Sequence, residues 1–153
     1  MINGLNVYVA GPMESVGGNM NEPLFDYVTK QLRAKGCTVM NPAELTRELI
    51  GPIAKLMAMS KEERRKTRKG LLAKELAWII HNADRVVLLP GWEKSPGATA
   101  ERAVALAMTI PVHELPAEVS LMQDDVGIDV DEPEQRRAAV GDMVAHTQKH
   151  NLP

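Results

Sequence analysis

The chain has 153 residues, 18 Lys or Arg against 20 Asp or Glu, a formal net charge of −2 and 44% hydrophobic residues. That is one ordinary domain with a core of its own, which excludes two full domains and a mainly disordered chain. The balanced charge excludes a strongly basic nucleic-acid binder by composition, and a single cysteine, Cys37, excludes an intramolecular disulfide and a cysteine-rich zinc site. No run of 18 apolar residues occurs and no basic leader precedes the first apolar segment. The expectation is a soluble, cytoplasmic protein with no membrane partner. With two Trp, two Tyr and one Phe, the core must be aliphatic, and nine methionines serve as adaptable filler.

Leu5-Asn6-Val7-Tyr8-Val9-Ala10 is β-prone and closed by Gly11-Pro12, a strand followed by a turn. Pro23 suits the start of a helix carrying Leu24, Val28 and Leu32, with Lys35-Gly36 as its stop. Cys37-Thr38-Val39-Met40 reads as a second strand, ended by Asn41-Pro42. A short helix broken at Gly51-Pro52 is expected over 43–56. Ser60 with Glu63 forms a capping-box pattern that opens a long helix bearing Leu71, Leu72, Leu76, Ile79 and Ile80. Val86-Val87-Leu88-Leu89 has the look of a strand buried on both faces. An alanine-rich helix over 97–108 and a short strand at Ile110-Pro111-Val112 follow. This alternation predicts an α/β fold, a mostly parallel sheet of four to five strands between two helical layers. Residues 103–135 contain no Lys or Arg but eight acidic side chains from Glu114 to Glu134. We therefore divide the chain into an α/β domain over 1–115 and an acidic connection with a C-terminal helix over 116–153.

In such folds ligands sit where loops leave the carboxyl ends of the strands. Three loops qualify, at 11–21, 41–44 and 90–98. In the last, Gly91 and Gly97 allow a tight path into a helix whose free N–H groups can hold an anion. Glu101 is expected near the first turn of that helix, where the dipole favours an ionised carboxylate able to attack an electrophilic carbon. Its plainer reading is a helix-stabilising acid. Tyr8, on the face of the first strand opposite Val7 and Val9, could hold a carboxylate by its phenol, or be a buried aromatic with its hydroxyl satisfied. Glu75 shares a helix face with Leu72 and Ile79, as a general acid of raised pKa or as an ion-pair partner. Asp84 reads locally as a turn or cap residue. Lys61, Arg64, Arg65, Lys66, Arg68 and Lys69 could attract a phosphorylated ligand or nucleic acid. Without interleaved aromatics for stacking bases, a solvated face is the simpler reading. His81, His113, His146 and His150 have no metal-ligand spacing, so no metal is assigned.

Six blocks, in order, resemble a known family: Tyr8-Val9-Ala10-Gly11-Pro12-Met13; Asn21-Glu22-Pro23-Leu24-Phe25; Leu32-Arg33-Ala34-Lys35-Gly36; Val39-Met40-Asn41-Pro42-Ala43-Glu44; Ala83-Asp84; and Leu88-Leu89-Pro90-Gly91-Trp92-Glu93-Lys94-Ser95-Pro96-Gly97-Ala98 with Glu101. Over about residues 5 to 113 the chain is similar to the nucleoside 2-deoxyribosyltransferase-like superfamily, and within it to a small, often phage-borne branch of unknown function. The resemblance implies a flavodoxin-like, Rossmann-like fold and cleavage of the N-glycosidic bond of deoxynucleosides or deoxynucleotides. It makes Glu101 the nucleophile, Tyr8 the residue that orients it, and Glu75 the counterpart of an Asp that contacts or helps release the base. The substrate-binding residues it implies are Gly11, Pro12, Met13, Asn21, Asp84, Trp92, Ser95, Gly97 and Ala98. Six residues before the nucleophile, the family's nucleoside transferases carry Asp and its deoxynucleoside-monophosphate hydrolases carry Ser. The Ser95 hydroxyl can donate to a 5′-phosphate that a carboxylate would repel. The resemblance implies no cofactor, a small-molecule deoxynucleotide partner and a homo-oligomer in which a neighbouring subunit completes the pocket. A rival expectation is a nucleotide-binding or sensing module of the same fold without turnover.

Overall fold

The computed structural model describes residues 4–13 and 21–120. Its elements are β1 (Asn6–Ala10), α1 (Glu22–Ala34), β2 (Thr38–Met40), α2 (Pro42–Leu49), α3 (Ile53–Met57), α4 (Lys61–Asn82), β3 (Arg85–Leu88), α5 (Pro96–Ala107) and β4 (Val112–Glu114). The acidic connection beyond residue 120 and the helix expected around His146 and His150 lie outside the described residues.

The four strands form one parallel sheet in the order β2-β1-β3-β4. The first strand is central, with Val7, Tyr8, Val9 and Ala10 all buried, as a strand covered on both faces must be. One face packs Val7, Val9, Val39, Val87 and Leu89 against Leu24, Phe25, Val28 and Leu32 of α1, and Val119 closes this layer. The other packs Tyr8, Ala10, Val86 and Leu88 against Ile79 of α4 and Ala98 and Ala105 of α5. The fold is therefore the expected three-layer α/β, flavodoxin-like arrangement.

Local chemistry sets the element ends. Asn41 caps α2 by accepting from the Ala43 amide, and Ser60 and Glu63 exchange both bonds of the capping box that starts α4. Gly51, at φ 117°, separates α2 from α3, as the Gly-Pro break predicts. Arg33 pairs with Glu44, and Arg47 with Glu22 and Asp26, fastening α2 to α1. The first three strands shift by one residue from expectation, and the fourth by two. β4 begins at Val112 rather than Ile110, because Thr109 turns at φ 57° and Pro111 has no N–H to give. The Pro111 carbonyl accepts from the Val86 amide instead.

The strand order reverses direction between β1 and β3, the switch point at which parallel sheets open a crevice. The two loops leaving it touch. The Leu89 amide donates to the Ala10 carbonyl at 2.8 Å, and a Cβ on Gly11 would stand 2.7 Å from the Leu89 Cβ. Gly11 is therefore required by close approach. Gly11→Ala should cost about 1–3 kcal/mol of stability, as for an overpacked buried site, and so lower the urea midpoint. An unchanged midpoint would show that Leu89 yields without cost.

Candidate active site

Three ionisable side chains from three elements meet between the sheet and the α4–α5 layer. Tyr8 comes from the middle of β1, Glu75 from α4 and Glu101 from α5. They are 0%, 7% and 4% exposed, so the cluster is all but removed from water. The Tyr8 hydroxyl donates to Glu101 Oε1 at 2.8 Å, and the Glu75 and Glu101 carboxyls are hydrogen-bonded to each other. Two carboxyls in contact must share at least one proton at ordinary pH. The small side chains of Ala98 and Ala105, one turn either side of Glu101, let α5 approach the sheet closely enough for this bond. Trp78, one turn beyond Glu75, packs on Tyr8 with ring centroids 6.3 Å apart.

Burial is the dominant influence on all three groups. It pushes the Glu75 carboxyl up to about 7, an effect its bond to Glu101 partly offsets. Burial also holds Glu101 well above the usual carboxylate range, and the neighbouring Glu75 charge raises it further while the Tyr8 bond draws it down. The Tyr8 phenol rises through burial and then through the two carboxylates. The pair thus holds its protons above the usual carboxylate range, with a loss at about 7.

Glu101 departs from the sequence expectation in one respect. It is the sixth residue of α5, in the second turn, and its partners are side chains rather than the free N–H groups of the helix start. Its carboxyl is therefore not held ionised by the helix dipole; burial raises it instead. The true start of α5 is capped by Ser95, whose Oγ accepts from the Ala98 amide at 3.2 Å and keeps its own proton to donate elsewhere.

The loops at the carboxyl edge carry most of the remaining expected residues. Pro12 and Asn21 are joined, the Asn21 amide donating to the Pro12 carbonyl at 3.0 Å, with Asn21 itself left-handed at φ 60°. Met13 packs at the rim of the α1-side core, and residues 14–20 of this loop lie outside the described residues. Gly91 turns at φ 85° against Pro12, and Trp92 lies half-buried beside the α4–α5 cluster. Its indole Nε1 is buried with no hydrogen-bond partner among the described residues, and the Arg102 guanidinium stacks 4.9 Å from its ring. Gly97 and Ala98 form the first turn of α5. Asp84 is not brought to this edge. Its Oδ2 accepts from the amide of Asn6, the first residue of β1, at the opposite end of the sheet. It ties the starts of β1 and β3 together, the turn role its local sequence suggested. Trp78 and Arg102 were missed from sequence. Their signals were a spacing of three residues from Glu75 and adjacency to Glu101.

Residues 5–114 match the family model described as Domain of unknown function (DUF4406), and the chain belongs to that family. No curated protein and no solved structure matches it. Among the described residues no helix is long and apolar enough to cross a membrane, and no three His, Cys, Asp or Glu side chains group as metal ligands.

A carboxyl raised on folding binds its proton more tightly in the folded than in the unfolded chain. Stability from it is complete below the unfolded value of 4.5 and is lost as pH rises to about 7. For Glu75 the loss is on the order of 3 kcal/mol. The Tm should accordingly fall between pH 5 and 7.5. Glu75→Gln, whose amide donates to an ionised Glu101, should flatten that fall. Parallel Tm–pH curves for the two proteins would dissociate the pair from the pH dependence.

Proposed function

We propose that this protein cleaves the N-glycosidic bond of 2′-deoxynucleoside 5′-monophosphates, with Glu101 as nucleophile. The observation that carries the reading is the buried Tyr8–Glu101–Glu75 cluster behind the switch-point loops. Glu75 and Glu101 share the proton that remains once the pair has lost one; when it sits on Glu75, that acid and Tyr8 both donate towards Glu101, which then carries the negative charge. Glu101 attacks C1′ of the deoxyribose. The C1′–N bond breaks, its electron pair leaves with the base, and the proton of Glu75 passes to the base. Water, or a second base, then attacks C1′ on the glycosyl-enzyme, returns a proton to Glu75 and frees Glu101. Without a 2′-hydroxyl the oxocarbenium-like state is reached more easily, which suits deoxyribose. Ser95, with a hydroxyl proton to give at the start of α5, suits the 5′-phosphate. The nucleotide acts as a small-molecule partner, and a homo-oligomer belongs to the same reading.

A second reading, a nucleotide-binding module without turnover, is favoured by the raised Glu101 carboxyl, since a protonated acid does not attack.

Incubation with each deoxynucleoside and its 5′-monophosphate, followed by chromatography for free base, separates them. Release from monophosphates should rise with pH through about 7, as the pair loses its first proton. Tyr8→Phe should slow it about 10- to 100-fold by removing one charge-directed hydrogen bond, and Glu101→Gln should abolish it. Binding without release by the wild type would establish the second reading, and faster release from unphosphorylated deoxynucleosides would remove the role of Ser95.

A further inference from the structure

The amino-terminal half of α4 adds nothing to the sheet core; Arg64, donating to the Met57 and Met59 carbonyls, and Thr67, donating to the Met59 sulfur, tie it to the segment before it. α4 has 22 residues and so runs about 33 Å, whereas the four residues of β3 span about 13 Å. The helix ends at Asn82, just before β3 begins, so its carboxyl end lies at the amino edge of the sheet. Its surplus length therefore projects past the opposite edge, the edge that carries the switch-point loops. Burial agrees: the buried residues of α4 are Leu71, Glu75 and Ile79, and none lies before Leu71.

This projecting half is the most basic stretch of the chain, with six Lys or Arg in 61–69. The arrangement is unfavourable on its own terms. Cations crowd the positive end of the helix dipole. Lys61 and Arg65, Arg64 and Arg68, and Arg65 and Lys69 are like charges four residues apart. Of the two nearby acids, Glu63 is engaged in the capping box. Lys61, Arg65, Lys66 and Lys69 are exposed and make no ion pair with a described residue. A solvated face would need no such concentration of one sign.

Helical spacing sets the direction of this charge. Arg68 stands seven residues before Glu75, two turns or about 10 Å higher on the same stripe, and Arg65 and Lys61 continue that stripe for about another 10 Å. A phosphate group held by Ser95 at the start of α5 lies one helix away from that stripe, because α4 and α5 pack side by side on one face of the sheet.

We propose that Lys61, Arg65 and Arg68 form a second anion site, which receives the β- and γ-phosphates of a nucleoside di- or triphosphate. That the phosphates belong to a nucleotide rests on the function proposed above; the anion site itself does not. The site makes affinity climb with phosphate number, so that di- and triphosphates occupy the crevice as substrates or as competitors of the monophosphate. The absence of interleaved aromatics and the net charge of −2 favour a compact polyphosphate over nucleic acid.

The test is calorimetric titration of the full-length protein. Inorganic tripolyphosphate should bind the wild type, and Arg65→Gln/Arg68→Gln should weaken it at least fivefold. In the Glu101→Gln protein, deoxyadenosine triphosphate should bind at least tenfold more tightly than the monophosphate. Adding the two arginine changes should erase that gain while altering monophosphate affinity less than twofold. Equal affinity for mono- and triphosphate, or a gain untouched by the arginine changes, would overturn the site. So would a 12-nucleotide single strand binding more tightly than triphosphate with a steep salt slope, since that marks a nucleic-acid surface. Tripolyphosphate binding without base release from any substrate would leave the anion site standing and the glycosidase reading refuted. Base release with a flat phosphate series would do the reverse.

Discussion

Two acids and a phenol share one water-poor space between the central strand and two helices, and much of the architecture follows from accommodating them. An isolated buried carboxylate is costly, and a bare pair of them more so. The solution is a chain of hydrogen bonds in which Tyr8 donates to Glu101 and a shared proton joins Glu101 to Glu75. Each link requires a particular neighbour. Alanines on α5 allow the approach, Trp78 covers Tyr8, and Ile79 continues the inward face of α4 below Glu75. Removing one partner alone would leave a buried polar group unsatisfied, so the three side chains stand or fall together.

The fold was legible because its signals are local and physical. Apolar runs bounded by Gly-Pro or Asn-Pro marked the strands, the Ser60–Glu63 pair marked the start of α4, and the alternation of the two element types specified a parallel sheet. What failed to show was where tertiary contact overrides a local rule. The apolar Ile110 suggested a strand, but the donorless Pro111 moved pairing to Val112. Gly11 announced a turn, yet its stricter requirement, contact with Leu89, involves a residue far along the chain.

The same division holds for the site. Tyr8 and Glu75 were legible through their periodicity, each on an inward face. Glu101 was singled out through its position near a helix start, yet it lies in the second turn of α5, bonded to Tyr8. Its environment is governed by burial among side chains, which no count of residues from a helix start can reveal. Asp84 was grouped with the site through the family resemblance alone, whereas parallel pairing puts the residue before β3 at the far end of the sheet from the loop after it. Arg102 beside Trp92 required three-dimensional knowledge altogether.

The central position of the first strand has a consequence for biosynthesis. β1 leaves the ribosome before every other element, yet both of its sheet neighbours, β2 and β3, are made later. The Tyr8–Glu101 bond spans 93 positions. A nascent chain therefore carries an apolar strand with one edge open until β3 has emerged, and gains its carboxyl cluster only once α5 is out as well. Folding is governed by such distant pairings, the slow and aggregation-exposed regime, and a truncated product ending before α5 would expose the surface on which the cluster is built.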